Sequence, residues 1–158
     1  MRGIYIGLGS NLGDRLDHLS RVMEALPPRV ELVAASPIYE TDPWGYLEQP
    51  AFLNQVIEVE TSFSPFELLA YLKQIEGFLG RQVTFRNGPR VIDLDILIFG
   101  NSILEEDGLV IPHPRMHDRA FVLKPLADLA PDLCHPVLGK TVQELLQHVD
   151  QSGVCLFS

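Results

Sequence analysis

Val91-Ile92-Asp93-Leu94-Asp95-Ile96-Leu97-Ile98-Phe99 is apolar throughout except for two aspartates. Side chains two apart on a strand share a face, so Asp93 and Asp95 project together, while Ile92, Leu94, Ile96 and Ile98 line the other side. This strand is the last of a series. Ile4, Ile6 and Leu8 alternate with Tyr5 and Gly7. After the glycine-rich turn Gly9 to Gly13, apolar residues recur at Leu16, Leu19, Val22, Met23 and Leu26 with helical spacing. Pro27 and Pro28 end that helix. Glu31 to Thr41 is rich in strand formers, with Pro37 marking an edge or a bulge, and Phe52 to Thr61 is a third strand. Ser64, Pro65 and Glu67 form a capping box with proline at the first helical position. Leu68, Leu69, Leu72, Ile75 and Leu79 give that helix its buried stripe. The order is βαββαβ, the split βαβ pattern of a ferredoxin-like α+β sandwich with a mainly antiparallel sheet and helices on its faces.

Beyond Phe99 lies a C-terminal extension. Short strands are expected near Ile103 and Val110, then a helical stretch from Met116 to Leu129 interrupted at Pro125, then a final helix opened by a capping box at Thr141 and Glu144. No repeat or linker divides the chain, so residues 1–158 read as a single domain, a size at which roughly 70% of the unfolded surface is buried.

Composition narrows the partners. The 158 residues carry 12 basic and 21 acidic side chains, a net charge of −9, and the pI is about 4.9. Such a balance speaks against nucleic acid and anionic membrane as partners, so any anion site must be local. Two cysteines, Cys134 and Cys155, provide neither a disulfide framework nor a zinc site, which suits a reducing cytoplasm. The N-terminus reads as a first strand rather than a leader, and no apolar run approaches the roughly 20 residues of a membrane span. The expectation is a soluble cytoplasmic monomer.

Two carboxylates on one strand face repel each other unless a cation compensates, and two hard oxygen ligands suit Mg²⁺ held together with substrate phosphates. The plainer alternative is a solvated strand face. Arg81, Arg86, Arg90, Arg115 and Arg119, five of nine arginines, bracket the aspartate strand, and guanidinium groups bind phosphate bidentately. His113, between two prolines, is a further phosphate donor or a structural histidine. Gly7 to Gly13 matches neither the dinucleotide fingerprint nor a P-loop and reads as a tight turn before a capped helix. On these residues alone, a Mg²⁺-dependent phosphohydrolase and a ferredoxin-like RNA-binding module stay open as alternatives.

Arg86-Asn87-Gly88-Pro89-Arg90-Val91-Ile92-Asp93-Leu94-Asp95-Ile96-Leu97 satisfies every position of the signature of the 6-hydroxymethyl-7,8-dihydropterin pyrophosphokinases, and the chain resembles that folate-biosynthesis family over nearly its whole length. Further matching stretches are Gly9 to Gly13, Tyr39-Glu40-Thr41, Gln49-Pro50, Phe52-Leu53-Asn54, Ile75-Glu76, Gly80-Arg81, Pro112 to Met116, Arg119, Phe121 and Leu123. The resemblance implies transfer of the diphosphoryl group of ATP to a pterin hydroxymethyl group, releasing AMP. It implies Asp93 and Asp95 as ligands of two Mg²⁺ ions, with Arg81, Arg90 and Asp95 catalytic. It places ATP on Lys73, Glu76, Arg81, Arg90, His113 and Arg119. The pterin falls to Phe52 and Phe121 by stacking, and to Thr41, Asp42, Trp44 and Asn54.

Overall fold

The computed structural model describes residues 3–42, 49–80 and 91–157. Its centre is a six-stranded antiparallel sheet. β1 (Ile4–Ser10) lies between β5 (Asp93–Phe99) and the long β4 (Phe52–Thr61). Beyond β4 come two collinear strands: β2 (Val30–Ala35) pairs with its C-terminal half and β3 (Tyr39–Thr41) with its N-terminal end, Asn54 to Phe52. Counting β2 and β3 as one interrupted strand, the order is the ferredoxin-like one expected from the βαββαβ series. The break falls at Pro37, which has no amide hydrogen for the ladder. There the Ser36 hydroxyl donates to the Pro37 carbonyl and accepts from the Val56 amide, and Gln55 Nε2 donates to the Ser36 carbonyl.

α1 (Arg15–Ala25) and α2 (Pro65–Phe78) cover one face of the sheet. Leu19, Val22 and Leu26 from the first and Leu68, Leu72 and Ile75 from the second pack on Ile4, Ile6, Leu53, Ile57, Leu94 and Ile96. Fully burying side chains of this size contributes about 1.5–3 kcal/mol each. Leu16, expected in the stripe, is 46% exposed. Both capping boxes form as expected, at Ser64/Glu67 and at Thr141/Glu144.

The helices of the extension supply a third layer on the opposite face, while Leu109 and Ile111 of its hairpin join the first core. A hairpin of β6 (Leu104–Glu106) and β7 (Leu109–Ile111) leads through a 3₁₀ turn at Met116–Asp118 into α3 (Ala120–Leu129) and then α4 (Val142–Gln147). Leu123, Leu126, Val142, Leu145 and Leu146 pack on Tyr5, Val56, Leu97 and Ile98. Two expectations are corrected. The helical stretch breaks at Arg119, whose φ of −112° and ψ of 104° are extended, while Pro125 sits inside an unbroken α3. Ile98 does not share the face of Leu94 and Ile96: a bulge opposite Tyr5 and Ile6 puts Leu97 and Ile98 together on the third layer's side. The chain then ends in β8 (Val154–Leu156), which pairs antiparallel with β3 and which the sequence pattern had not suggested. No helix among the described residues is long and apolar enough to cross a membrane.

Candidate active site

A cavity of about 590 Å³ opens on the third-layer side of the sheet, where the C-terminal end of β1 meets the N-terminal ends of β4, β5 and α3. Its floor follows from register. Gly7 and Gly9 of β1 stand opposite Asp95 and Asp93 of β5 on one side, and opposite Val56 and Asn54 of β4 on the other. Having no side chains, the two glycines leave a groove between the aspartates and Asn54. A Cβ on Gly9 would lie 3.2 Å from Asn54 Oδ1, closer than ordinary packing allows without moving the amide. The tight-turn reading of this glycine run therefore holds only after Ser10: Gly7 and Gly9 lie within β1, and Asp14 caps α1 beyond the turn.

One end of the groove is charged. Asp93 is half-buried and Asp95 exposed, and both line the cavity, as expected from their alternation. His113 and Arg119 arrive from the extension. The hairpin brings the chain back along β5, where the His113 amide donates to the Leu97 carbonyl at 2.9 Å. His113 Nδ1 accepts from the Arg115 amide at 3.2 Å. The neutral ring accordingly carries its proton on Nε2, free to donate. Burial pushes His113 below its ordinary range, opposed by Asp95 and reinforced by Arg119 and Arg115. Arg119 is likewise lowered, chiefly by burial, with Asp95 opposing. Its guanidinium lies 5.4 Å from the centre of the Phe121 ring, a cation–π contact that holds it at the mouth of α3.

The other end is aromatic and uncharged apart from its rim. Phe52 and Phe121 are half-buried and line the cavity. Asn54, buried, donates through Nδ2 to Thr41 Oγ1 at 2.7 Å, and Asp42 stands exposed beside them. A flat heterocycle fits between rings, and a fixed amide gives it both a donor and an acceptor.

Of the residues singled out from sequence, Thr41, Asp42, Phe52, Asn54, Asp93, Asp95, His113, Arg119 and Phe121 meet in this one cavity. Trp44, Arg81 and Arg90 lie outside the described residues. Lys73 and Glu76 do not line the cavity. Glu76 is 2% exposed on the α2 side of the sheet, where its Oε2 accepts from the Leu94 amide at 2.8 Å and its Oε1 from Lys73 Nζ at 3.2 Å. Its carboxylate grips the backbone between the two aspartates from behind. Asp118, Asp150, Ser152, Gly153 and Val154 also line the cavity and were not foreseen. The cluster Asp150, Ser152 and Gly153 has a turn's composition, but composition gives no hint of where the turn lies in space.

A family model for 7,8-dihydro-6-hydroxymethylpterin-pyrophosphokinase (HPPK) matches residues 5–131. The chain belongs to the HPPK family. Over 152 residues it is 50% identical to the 2-amino-4-hydroxy-6-hydroxymethyldihydropteridine pyrophosphokinase of Bacillus subtilis, covering 95% of this chain and 87% of that one. It is 43% identical to the like-named protein of Methylorubrum extorquens, covering 98% of each. A Dictyostelium discoideum folic acid synthesis protein FOL1 is 41% identical over 95% of this chain, but this chain spans only 23% of its length. Among solved structures, Plasmodium falciparum HPPK-DHPS with pteroate superposes with a TM-score of 0.76 at 16% identity, covering 93% of this chain and 44% of that one. That likeness shows the HPPK fold.

Proposed function

We propose that this member of the HPPK family transfers the β,γ-diphosphoryl group of ATP to the hydroxymethyl oxygen of 6-hydroxymethyl-7,8-dihydropterin, in folate biosynthesis. The hydroxyl oxygen bonds to the β-phosphorus, the bond between that phosphorus and the α,β-bridging oxygen breaks, AMP leaves, and the hydroxyl proton passes to solvent. The observation that carries this reading is the division of one cavity into a charged end, with Asp93, Asp95, His113 and Arg119, and an aromatic end, with Phe52, Asn54, Thr41 and Phe121.

Diphosphoryl transfer asks a protein mainly for positioning and charge neutralisation. His113 Nε2–H and the Arg119 guanidinium face phosphate oxygens, and Arg81 and Arg90 add to them. Asn54 and Thr41, with Asp42 beside them, hold the pterin's hydrogen-bonding edge while Phe52 and Phe121 hold its faces, and Trp44 is assigned to the pterin by the family resemblance alone. Among the described residues no group of three or more His, Cys, Asp and Glu could hold a metal alone. Two carboxylates on a groove suit Mg²⁺, which takes one or two protein carboxylates and completes its shell with phosphate and water. Asp93 and Asp95 would hold two such ions, whose chemistry is charge neutralisation of the triphosphate and acidification of the attacking hydroxyl. Glu76, with Lys73 paired to it, stands outside the cavity and serves the nucleotide side only indirectly, by fixing the aspartate strand from behind. Residues 1–158 act as one domain and as a monomer. The exposed, unpaired Cys134 and Cys155 suit the reducing cytoplasm.

The test is incubation with ATP, Mg²⁺ and hydroxymethyldihydropterin, followed by nucleotide chromatography. AMP and the pterin diphosphate are expected in equal amounts. ADP, or phosphate released without pterin, would overturn the reading.

A further inference from the structure

The C-terminal strand is three residues long, yet the segment from Asp150 to Val154 walls the cavity beside Asp42 and Thr41. We infer that this segment is a positioning element for the pterin end of the site and that it acts through Gly153. The inference rests on the pterin reading given above.

β3 is held from the inside by only three ladder positions of β4, Tyr39 to Asn54, Glu40 to Leu53 and Thr41 to Phe52. On its outer edge β8 supplies the matching support, Thr41 standing opposite Val154 and Tyr39 opposite Leu156. At the end of the pair the Asp42 amide donates to the Gly153 carbonyl at 3.3 Å. Gly153 itself has a φ of +81°, and a Cβ built on it would lie 3.0 Å from Asp42 Oδ2. Its backbone conformation therefore favours glycine, and a Cβ there could be admitted only by turning the exposed Asp42 carboxylate aside. β8 is in turn anchored to the third layer. Val154 is buried against Tyr39 and Ala120, and Lys124 Nζ of α3 donates to its carbonyl at 3.4 Å. A rigid path thus runs from α3 through β8 to β3. On β3, Thr41 Oγ1 accepts from Asn54 and so fixes that amide.

A side chain at 153 turns the Asp42 carboxylate away from the cavity wall and strains the backbone that accepts from the Asp42 amide, loosening the β8 support opposite Thr41. The charged end, on β5 and the start of α3, is untouched. Gly153→Ala should weaken the binding of hydroxymethyldihydropterin to the nucleotide complex about tenfold, since small misplacements of a positioned substrate are costly. The affinity for a non-hydrolysable ATP analogue with Mg²⁺ should stay within about twofold, a split between the ligands that general loosening would not give. Gly139→Ala is the control: Gly139 has a φ of +69°, a Cβ there meets nothing within 4 Å, and it lies outside the cavity wall. That variant should lose thermal stability and leave both ligands unchanged.

Calorimetric titration of the analogue, then of pterin into the saturated complex, reads all three proteins. Equal pterin affinity in Gly153→Ala and Gly139→Ala, or parallel weakening of both ligands in Gly153→Ala, would overturn the inference. If Gly153→Ala does not fold, Lys124→Met reads the same path from its far end. It should weaken pterin about threefold and spare the nucleotide, and an unmoved pterin affinity there overturns the inference equally. Wild-type protein that forms no AMP would overturn the pterin reading itself, whereas an active wild type with an unmoved Gly153→Ala overturns this inference alone.

Discussion

Asp93 and Asp95 share a face but not an environment, one half-buried under the third layer and the other open to solvent. Replacing either by asparagine keeps the volume and removes one of the two carboxylates proposed above to hold metal, so the fold should persist and the chemistry should not. Turnover is expected to fall about a hundredfold or more in each variant, the scale of losing one preorganised charge contact. An unchanged melting temperature beside that loss is the check; wild-type turnover in either variant would remove the metal assignment. Asn54→Ala tests the other end of the groove. It strips the buried Thr41 hydroxyl of its amide donor, which should cost about 1–3 kcal/mol of stability by urea titration. Pterin affinity should fall while nucleotide affinity holds; loss of both would mean that Asn54 supports the whole cavity. The aspartate pair was legible from sequence because a strand's alternation is local. His113 and Arg119 were legible as residue types and through the family resemblance, but not in their place: they reach Asp95 because the β6–β7 hairpin returns beside β5, a long-range event that no spacing encodes. Glu76 was flagged by motif, but its grip on the Leu94 amide shows only once α2 is laid on the sheet.

Elements that build a regular pattern were the ones read correctly. The limits of β4 match the expected Phe52 to Thr61, and both capping boxes form. β8 escaped because Val154-Cys155-Leu156 is too short for alternation to register and exists only by pairing with an exposed edge. The same edge carries a pH dependence. Burial and a hydrogen bond to Asp128 of α3 push the Tyr39 hydroxyl up to about 12 from its ordinary 10.0. A tyrosine whose folded pKa exceeds its unfolded one binds its proton more tightly when folded. The resulting stability is whole below pH 10 and lost as pH rises from about 10 towards 12. Urea midpoints from pH 8 to 11.5 should therefore decline at the alkaline end, and Tyr39→Phe should flatten that decline. An equal alkaline slope in both proteins would mean that the tie between β3 and α3 contributes nothing.

At the scale of the molecule, the two cores share one sheet. β1, β4 and β5 each send alternate residues to opposite layers, Ile6 and Tyr5, Ile57 and Val56, Ile96 and Leu97. Detaching α3 and α4 alone would expose Tyr5, Val56, Leu97 and Ile98, at about 1.5–3 kcal/mol per side chain. For four such groups that is about 6–12 kcal/mol, comparable with the roughly 5–15 kcal/mol that holds an entire domain together. Neither layer can then melt ahead of the other. Scanning calorimetry should show one transition with equal calorimetric and van't Hoff enthalpies. The cavity draws its lining from the shared sheet and from α3, so a ligand in it must raise that single transition as a unit. A non-hydrolysable ATP analogue with Mg²⁺ at a hundred times its Kd adds about 2.7 kcal/mol, or roughly 5–11 °C for a chain of this length. The same addition to Asp95→Asn should give a clearly smaller rise, because on the function proposed above Asp95 would hold the metal that joins the phosphates to the strand. Two resolved transitions, only one of them moved by the nucleotide, would show instead that the third layer folds apart from the sheet and that the site is completed only when it docks.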